Sequence, residues 1–296
     1  MFSMRKPASK FLSLFLVLAM VCSLFGAAFA AEEETATPYV IPDVDGKVVI
    51  LHTNDTHGAA LDEEGASFGM AGVAQLKKDF EAAGADVLLV SAGDSIMGKP
   101  LVSADQGKSA IEFMNAAGYD AMTVGNHELD LPPAVWEQLR QTIAQSGCRL
   151  LQNQTISLEM PGSVPLYLAG ADLAYGVYRD ENRKFRNLQP YTAADLENDL
   201  GRRRGCTVLL AHNPLLLDSY AGWGADLVLC GHVHGGLVRL PFLGGVLSPE
   251  RKFFPKYDKG LYEKDGTKMY VSGGIGKPRL CNPPEINLIH LKSVQK

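Results

Sequence analysis

The chain has 296 residues, a formal charge of −5 and 46% apolar residues. That composition is the one expected of an ordinary globular protein. The acidic balance argues against general nucleic-acid binding, which needs a basic surface.

The first thirty residues resemble an export signal. Arg5, Lys6 and Lys10 precede an almost unbroken apolar stretch, residues 11–25, and Ala28-Phe29-Ala30 supplies the small-x-small pattern of a cleavage site. The stretch is short for a bilayer span, and the acidic run Glu32-Glu33-Glu34 suits a cleaved product better than an anchor. Residues 1–30 are therefore expected to be a signal peptide, residues 31–46 a flexible lead-in, and residues 47–296 one domain with no transmembrane span. About 265 residues can bury one large core. A secreted or cell-envelope location follows. Cys148, Cys206, Cys230 and Cys281 remain after cleavage, in spacings that match neither a zinc ribbon nor a Cys-x-x-Cys motif. Cys206 and Cys230 lie in apolar runs and are expected to be buried.

Residues 47–51 read as a buried strand, and residues 70–83 follow a helical period with Val73, Leu76 and Phe80 on one face. A strand at 87–90, a helix at 108–117, a strand at 121–124 and a helix at 133–146 continue a β-α-β-α-β pattern. Short strands are expected near 150–152 and 165–169, a helix near 193–200, and strands at 207–211 and 227–230. A Gly- and Pro-rich loop region then leads to strands at 269–272 and 286–291. Alternating strands and helices argue for an α/β domain.

The chemistry lies in where the histidines fall. Of seven, five lie just past the carboxyl end of an expected strand, beside Asp or Asn. The segments are Asp55-Thr56-His57, Gly93-Asp94, Gly125-Asn126-His127-Glu128, Ala211-His212 and Gly231-His232-Val233-His234. Open α/β sheets gather their ligand sites at that edge. Imidazole and carboxylate together suit Mn, Fe or Zn, with Mg or Ca less favoured. Asp55 and Asp94 held side by side would be costly without a cation between them. Two divalent ions sharing one aspartate bridge are a known solution. Structural zinc sites are usually closed and cysteine-rich, and this set contains no cysteine. His52 and His290 fit packing roles, Glu128 a structural one, and residues 273–276 a turn.

The order D-x-H, GD, GNHE, H, GHxH resembles the calcineurin-like metallophosphoesterase superfamily, from about residue 48 onward. The front, HTNDTHG through SAGDSIMG to GNHELD, resembles secreted 5′-nucleotidases. The back, with AHNP, GHVHGG, RLPFLGGVLSP, FFPKYDKGLY, VSGGIG and NPPEINLI, resembles a bacterial cell-envelope phosphodiesterase branch, the junction falling within 131–165. The resemblance implies a four-layer α/β/β/α sandwich with two mixed sheets. It implies one metal on Asp55, His57, Asp94 and His234, and a second on Asp94, Asn126, His212 and His232. It also implies that His127 contacts the phosphoryl group or protonates the leaving oxygen, and that Asp130 orients His127.

The expected activity is hydrolysis of phosphomonoesters or phosphodiesters. A 5′-nucleotidase is the alternative; a non-catalytic metal-binding surface protein and a metal-dependent amidohydrolase are more distant rivals. The substrate is a small phosphoester, with an envelope lipid or a nucleotide as candidates. The loop at 250–259 sets Arg251, Lys252 and Lys256 among Phe253, Phe254 and Tyr257, and fits either an anion-holding rim or an ordinary solvated loop.

Overall fold

Two β-sheets carry their parallel strands to a common edge, and that edge holds the site. The computed structural model describes residues 39–60, 69–159, 165–276, 279 and 281–291. The expected signal peptide lies outside them. Residues Asp43–Lys296 form one compact unit.

The first sheet contains β1 (Val48–Thr53), β2 (Asp86–Ser91), β3 (Ala121–Met122), β4 (Arg149–Leu150) and β13 (Asn287–Leu291). Its order is β13-β1-β2-β3-β4. Strands β1 to β4 are parallel, and β13 closes the edge antiparallel. The second sheet has a parallel centre of β6 (Leu166–Gly170), β7 (Cys206–Leu210), β8 (Leu227–Cys230) and β12 (Thr267–Val271). Its edge strands β5 (Gln154–Leu158) and β11 (Gly260–Lys264) are antiparallel. The order is β11-β12-β8-β7-β6-β5.

Strand alternation divides the side chains between layers. Ile50, Val90, Leu168, Val208, Leu210 and Leu229 come from both sheets and pack into one buried cluster between them. The other face of the second sheet, with Leu209, Val228 and Met269, packs against Leu196, Tyr220 and Trp223. Helices α1 (Gly69–Ala82), α3 (Lys108–Ala117) and α5 (Pro133–Ala144) accompany the first sheet. The short helices α2 (Pro100–Ala104) and α4 (Asn126–Leu129) follow β2 and β3. Leu196 sits on α6 (Ala193–Leu200), and Tyr220 and Trp223 on α7 (Leu217–Trp223). Phe80 of α1 is fully buried, so Phe80→Ala costs about 3–5 kcal/mol.

Local signals set several boundaries. Thr192 caps α6 in a reciprocal box with Asp195, accepting from Asp195 N at 3.3 Å while the Asp195 carboxylate accepts from Thr192 N at 2.7 Å. Gly118 ends α3 in the left-handed conformation, and Pro133 begins α5. Other elements are not visible in the sequence pattern. Helix α7 is under two turns, and β5 and β11 are edge strands with little apolar periodicity. The region expected to be loop folds into a small sheet of β9 (Val238–Leu240) and β10 (Gly244–Leu247). Strand β3 stops at Met122, two residues short of expectation; the Thr123 hydroxyl beyond it donates to Leu151 O and Ala171 O at 3.1 Å each.

Cys230 and Cys148 are buried, whereas Cys206 is exposed because it begins β7 ahead of the covered part of the sheet. All four described cysteines are free. His52 is buried, facing Asn287 Oδ1 through Nδ1 at 3.1 Å, as a packing role requires.

Candidate metal centre

The loops after β1 and β2 build the first half of the site. Asp55 N donates to Gly93 O at 2.9 Å and His57 N to Asp94 O at 3.1 Å, so the two loops hold each other in register. Asp55, His57, Asp94, His232 and His234 all have left-handed backbones, with φ from 48° to 69°. Non-glycine residues rarely adopt that region, and strain of this kind gathers at functional sites. Glycines make the close approach possible: a Cβ on Gly93 would stand 2.6 Å from Gly125 N, and one on Gly274 would stand 2.7 Å from Asn54 O. The 273–276 segment is thus more than a turn, since it packs directly beneath the Asp55 loop.

Glu128 ties the next loop in. Its buried carboxylate accepts from Asp94 N at 2.9 Å, Ser95 N at 2.7 Å, Ile96 N at 3.1 Å and Gly125 N at 2.7 Å. Burial and the charge of Asp94 raise its pKa, which these amide donors oppose. Its role is structural, as the sequence suggested.

Three groups of side chains converge closely enough to hold a cation: Asp55, His57 and His234; Asp94, His212 and His232; and His57, Asp94 and His127. Within each group the ligand atoms lie within 4.8 Å of one another. Asn126 joins the second group, its Oδ1 lying 2.8 Å from His232 Nδ1. All seven residues expected as ligands are therefore brought together, with Asp94 and His57 shared between groups.

The donor set fits divalent ions. A carbonyl oxygen can only accept, so the contacts of His57 Nδ1 with Met97 O at 2.7 Å and His212 Nδ1 with Ala92 O at 2.8 Å place the ring protons there. In the neutral ring each Nε2 then keeps its lone pair for a cation, the usual arrangement for a ligating histidine. Asp55 Oδ1 is buried without a hydrogen-bond partner, a costly state that a cation relieves, and His212 Nε2 lies 3.0 Å from Asp94 Oδ2. His232 faces acceptors on both sides, Asn126 Oδ1 and Glu250 Oε1 at 3.1 Å. With the ring proton on Nε2 toward Glu250, a cation between His232 Nδ1 and Asn126 Oδ1 satisfies both lone pairs.

Electrostatics agree. Burial pushes the Asp94 carboxyl up, but His212, His127 and His57 outweigh it and hold it well below its usual range. Asp55 is lowered in the same way, burial being overcome by His234 and His212. Burial opposes a charge on His212, yet the two carboxylates raise it to about 10. A carboxylate cage of this strength attracts positive charge, whether protons or metal ions.

His127 stands at the mouth. Its side chain is 36% exposed against 1% for Asp94, and its Nε2 lies 4.0 Å from Asp94 Oδ2. Its backbone N donates to Asp94 Oδ1 at 2.8 Å. Asp130 is the residue expected to orient His127. Its carboxylate faces Arg179 at 3.4 Å and Arg183 at 3.9 Å, and among the described residues it makes no hydrogen bond to the His127 ring. Charge-assisted bonds to two guanidinium groups account for where the Asp130 carboxylate points.

Three site residues carry no sequence signal of their own. Glu250 accepts from His232, and its other oxygen holds Lys252 at 2.9 Å. Asn282 donates to His234 O and Gly236 O. Arg279 donates to Gly273 O and to His234 Nδ1. With a donor on Nδ1, neutral His234 carries its proton on Nε2, 3.5 Å from Asp55 Oδ1. Taking up a cation at Nε2 obliges Arg279 to leave Nδ1. All three are drawn in from late loops, and only the Gly-His-x-His neighbourhood hints that such loops must return to cover it.

Comparison with known proteins agrees with this geometry. The family model for calcineurin-like phosphoesterases matches residues 48–236. A 5′-nucleotidase of Vibrio cholerae is 38% identical over 118 residues, 38% of this chain and 20% of its own length. The metallophosphoesterase YkuE of Bacillus subtilis is 35% identical over 105 residues, 33% of this chain and 36% of its own. The chain thus matches about a fifth of the nucleotidase and about a third of YkuE. Among solved structures, the sulfate thiohydrolase SoxB of Thermus thermophilus superposes with a TM-score of 0.56 at 15% identity, covering 86% of this chain and 58% of SoxB. A 5′-nucleotidase precursor from the same species gives 0.53 at 18% identity, covering 83% and 54%. These two show the shared fold. With the family model spanning most of the chain and the motif residues converging at the strand ends, the chain belongs to the calcineurin-like phosphoesterase family.

Proposed function

We propose that this chain is an exported hydrolase of phosphomonoesters and phosphodiesters with a dinuclear metal centre. The observation that carries the reading is the convergence of Asp55, His57, Asp94, Asn126, His212, His232 and His234 at the carboxyl edge of both sheets. Asp55, His57, Asp94 and His234 would hold one ion, and Asp94, Asn126, His212 and His232 the other. Two divalent ions there, Mn, Fe or Zn by the donor set, would supply Lewis-acid charge and lower the pKa of water.

The chain's own groups do the rest. His127, partly exposed at the mouth, would protonate the leaving oxygen or contact a phosphoryl oxygen, while the water that adds to phosphorus releases its proton to solvent and the phosphorus–oxygen ester bond breaks. Arg279, a part-buried cation beside His234, would offer charge to a phosphate oxygen once it leaves the imidazole. Monoesters yield inorganic phosphate and diesters yield monoesters. Arg5, Lys6 and Lys10, the apolar stretch after them and Ala28-Phe29-Ala30 support export. Among the described residues, no helix is long and apolar enough to cross a membrane.

The test is steady-state hydrolysis of an aryl phosphate, a bis-aryl phosphate and the nucleoside monophosphates, with each divalent metal in turn. Turnover of both aryl esters with little preference among bases is expected. Metal binding with no turnover would instead favour a structural metal site, and cleavage of amides alone an amidohydrolase. The match to the Vibrio cholerae 5′-nucleotidase favours a second reading as a nucleotidase. A preference for one nucleoside monophosphate above about tenfold would support that reading.

A further inference from the structure

The β9–β10 hairpin and the loop after it display large apolar side chains to water. Phe242 is 107% exposed, Phe253 72%, Leu243 64%, Phe254 62% and Leu237 40%. Scattered exposed apolar residues need no explanation, but five within one short stretch of chain do. The segment is tied together as one unit: Leu237 N donates to Leu247 O at 2.7 Å, Phe254 N donates to Val246 O at 2.9 Å, and Leu247 bridges to Phe253. Phe242, Arg251 and Phe254 hold left-handed backbones with φ of 67°, 60° and 51°, an unfavourable geometry for bulky residues. Tyr257, by contrast, is buried against Tyr262 and belongs to the core, so the exposed ridge ends before it.

Charge accompanies the apolar groups. Residues 237–259 contain Arg239, Arg251, Lys252, Lys256 and Lys259 against Glu250 and Asp258; Arg239, Lys252 and Lys259 pair with Asp258, Glu250 and Glu285, and Arg251 and Lys256 are the cations left to meet an anionic surface. This stretch is net basic in a chain of formal charge −5. Arg251, Lys252 and Lys256 are exposed among the phenylalanines. The ridge is also rooted in the metal centre. It begins directly after His234-Gly235-Gly236, and it returns through Glu250, whose Oε1 lies 3.1 Å from His232 Nε2.

We propose that this ridge docks on an anionic phospholipid surface and that the enzyme acts on phosphoesters carried by that surface. Exposed aromatic tips suit a soft, planar surface better than a small molecule, which needs a concave site. Aromatic and aliphatic side chains enter the headgroup boundary while Arg and Lys meet anionic headgroups, and neither set alone binds firmly. Docking there sets the metal-ligand loops beside the headgroups. That the docked surface is also the substrate rests on the hydrolase reading above; the docking itself does not.

Vesicle co-sedimentation tests the docking, using protein without residues 1–30. Every described strand and site residue lies beyond residue 47, so that removal leaves the fold intact. Binding to equimolar phosphatidylglycerol–phosphatidylcholine vesicles is expected to exceed binding to phosphatidylcholine alone by at least about tenfold, and to weaken with salt. Phe242→Ser with Phe254→Ser should reduce it by about tenfold or more, with hydrolysis of a soluble bis-aryl phosphate unchanged. Arg251→Glu, which leaves the apolar ridge intact, should weaken binding to the anionic vesicles alone. Failure of the wild-type protein to bind anionic vesicles, or equal binding by the serine variant, would overturn the proposal and leave a protein partner as the ridge's occupant. Vesicle binding without soluble-ester turnover would sink the hydrolase reading while the docking stood. Turnover of soluble esters without release of phosphorylated headgroup or phosphate from vesicles would sink the substrate assignment.

Discussion

The carboxylate of Glu250 accepts from Nε2 of His232 at 3.1 Å, on the far side of the ring from Asn126, whose Oδ1 lies 2.8 Å from Nδ1. A carboxylate behind a ligating imidazole fixes its orientation and raises its basicity, and loss of such partners costs on the order of ten- to a hundredfold in metal affinity. Glu250→Gln is expected to weaken the second metal site by that factor and leave the first unchanged. Calorimetric titration with Mn or Zn measures it. Two unaltered binding steps would remove Glu250 from the metal centre.

Asp94 is the residue on which the two clusters meet. It groups with His57 and His127 on one side and with His212 and His232 on the other. Asp94→Ala should therefore empty or misplace both ions and abolish activity, whereas His212→Ala should chiefly weaken the second. Elemental analysis of the purified variants distinguishes the cases, and full metal content in Asp94→Ala would exclude a bridging role.

His127→Ala should keep its metal and lose about a hundredfold or more in turnover, the usual scale for a general acid or a donor to developing charge. Asp130→Asn should cost less than about threefold, or about 0.7 kcal/mol, because its carboxylate faces Arg179 and Arg183 rather than the imidazole. If His127→Ala lost metal and kept its activity per bound metal, the residue would be a ligand.

Buried His52 carries a pH signature. Burial, only partly offset by Asn287 and Asp55, lowers its pKa from 6.5 to about 4. Between those values the unfolded chain binds a proton that the folded chain refuses. Stability is therefore fully present above pH 6.5 and declines as the pH falls toward 4, by about 3 kcal/mol from this group. His52→Gln should lack that component. Urea denaturation of both proteins at neutral pH and near pH 4.5 measures the difference, and equal losses would show that His52 accepts the proton while folded.

The sequence alone picked out the candidate ligands that the fold brings together, and the order of most of the elements that carry them. Asp55, His57, Asp94, Asn126, His212, His232 and His234 each follow an apolar run, and parallel strands in one sheet must end on the same side. The helices expected near 108–117 and 193–200 are α3 and α6, and the structure shows local stop and cap signals at each, Gly118 and Thr192 among them. The tertiary structure decided what local signals cannot encode. Asp130 pairs with Arg179 and Arg183 because a distant loop brings two guanidinium groups to it. Glu250, Arg279 and Asn282 reach the site across 18 to 48 residues of chain, a separation at which sequence spacing carries no geometric information. The β9–β10 hairpin is held by backbone hydrogen bonds between strands of three and four residues, too short to show alternation. That Phe242 on its turn and Phe253 and Phe254 after it stand together in solvent is likewise set by the fold.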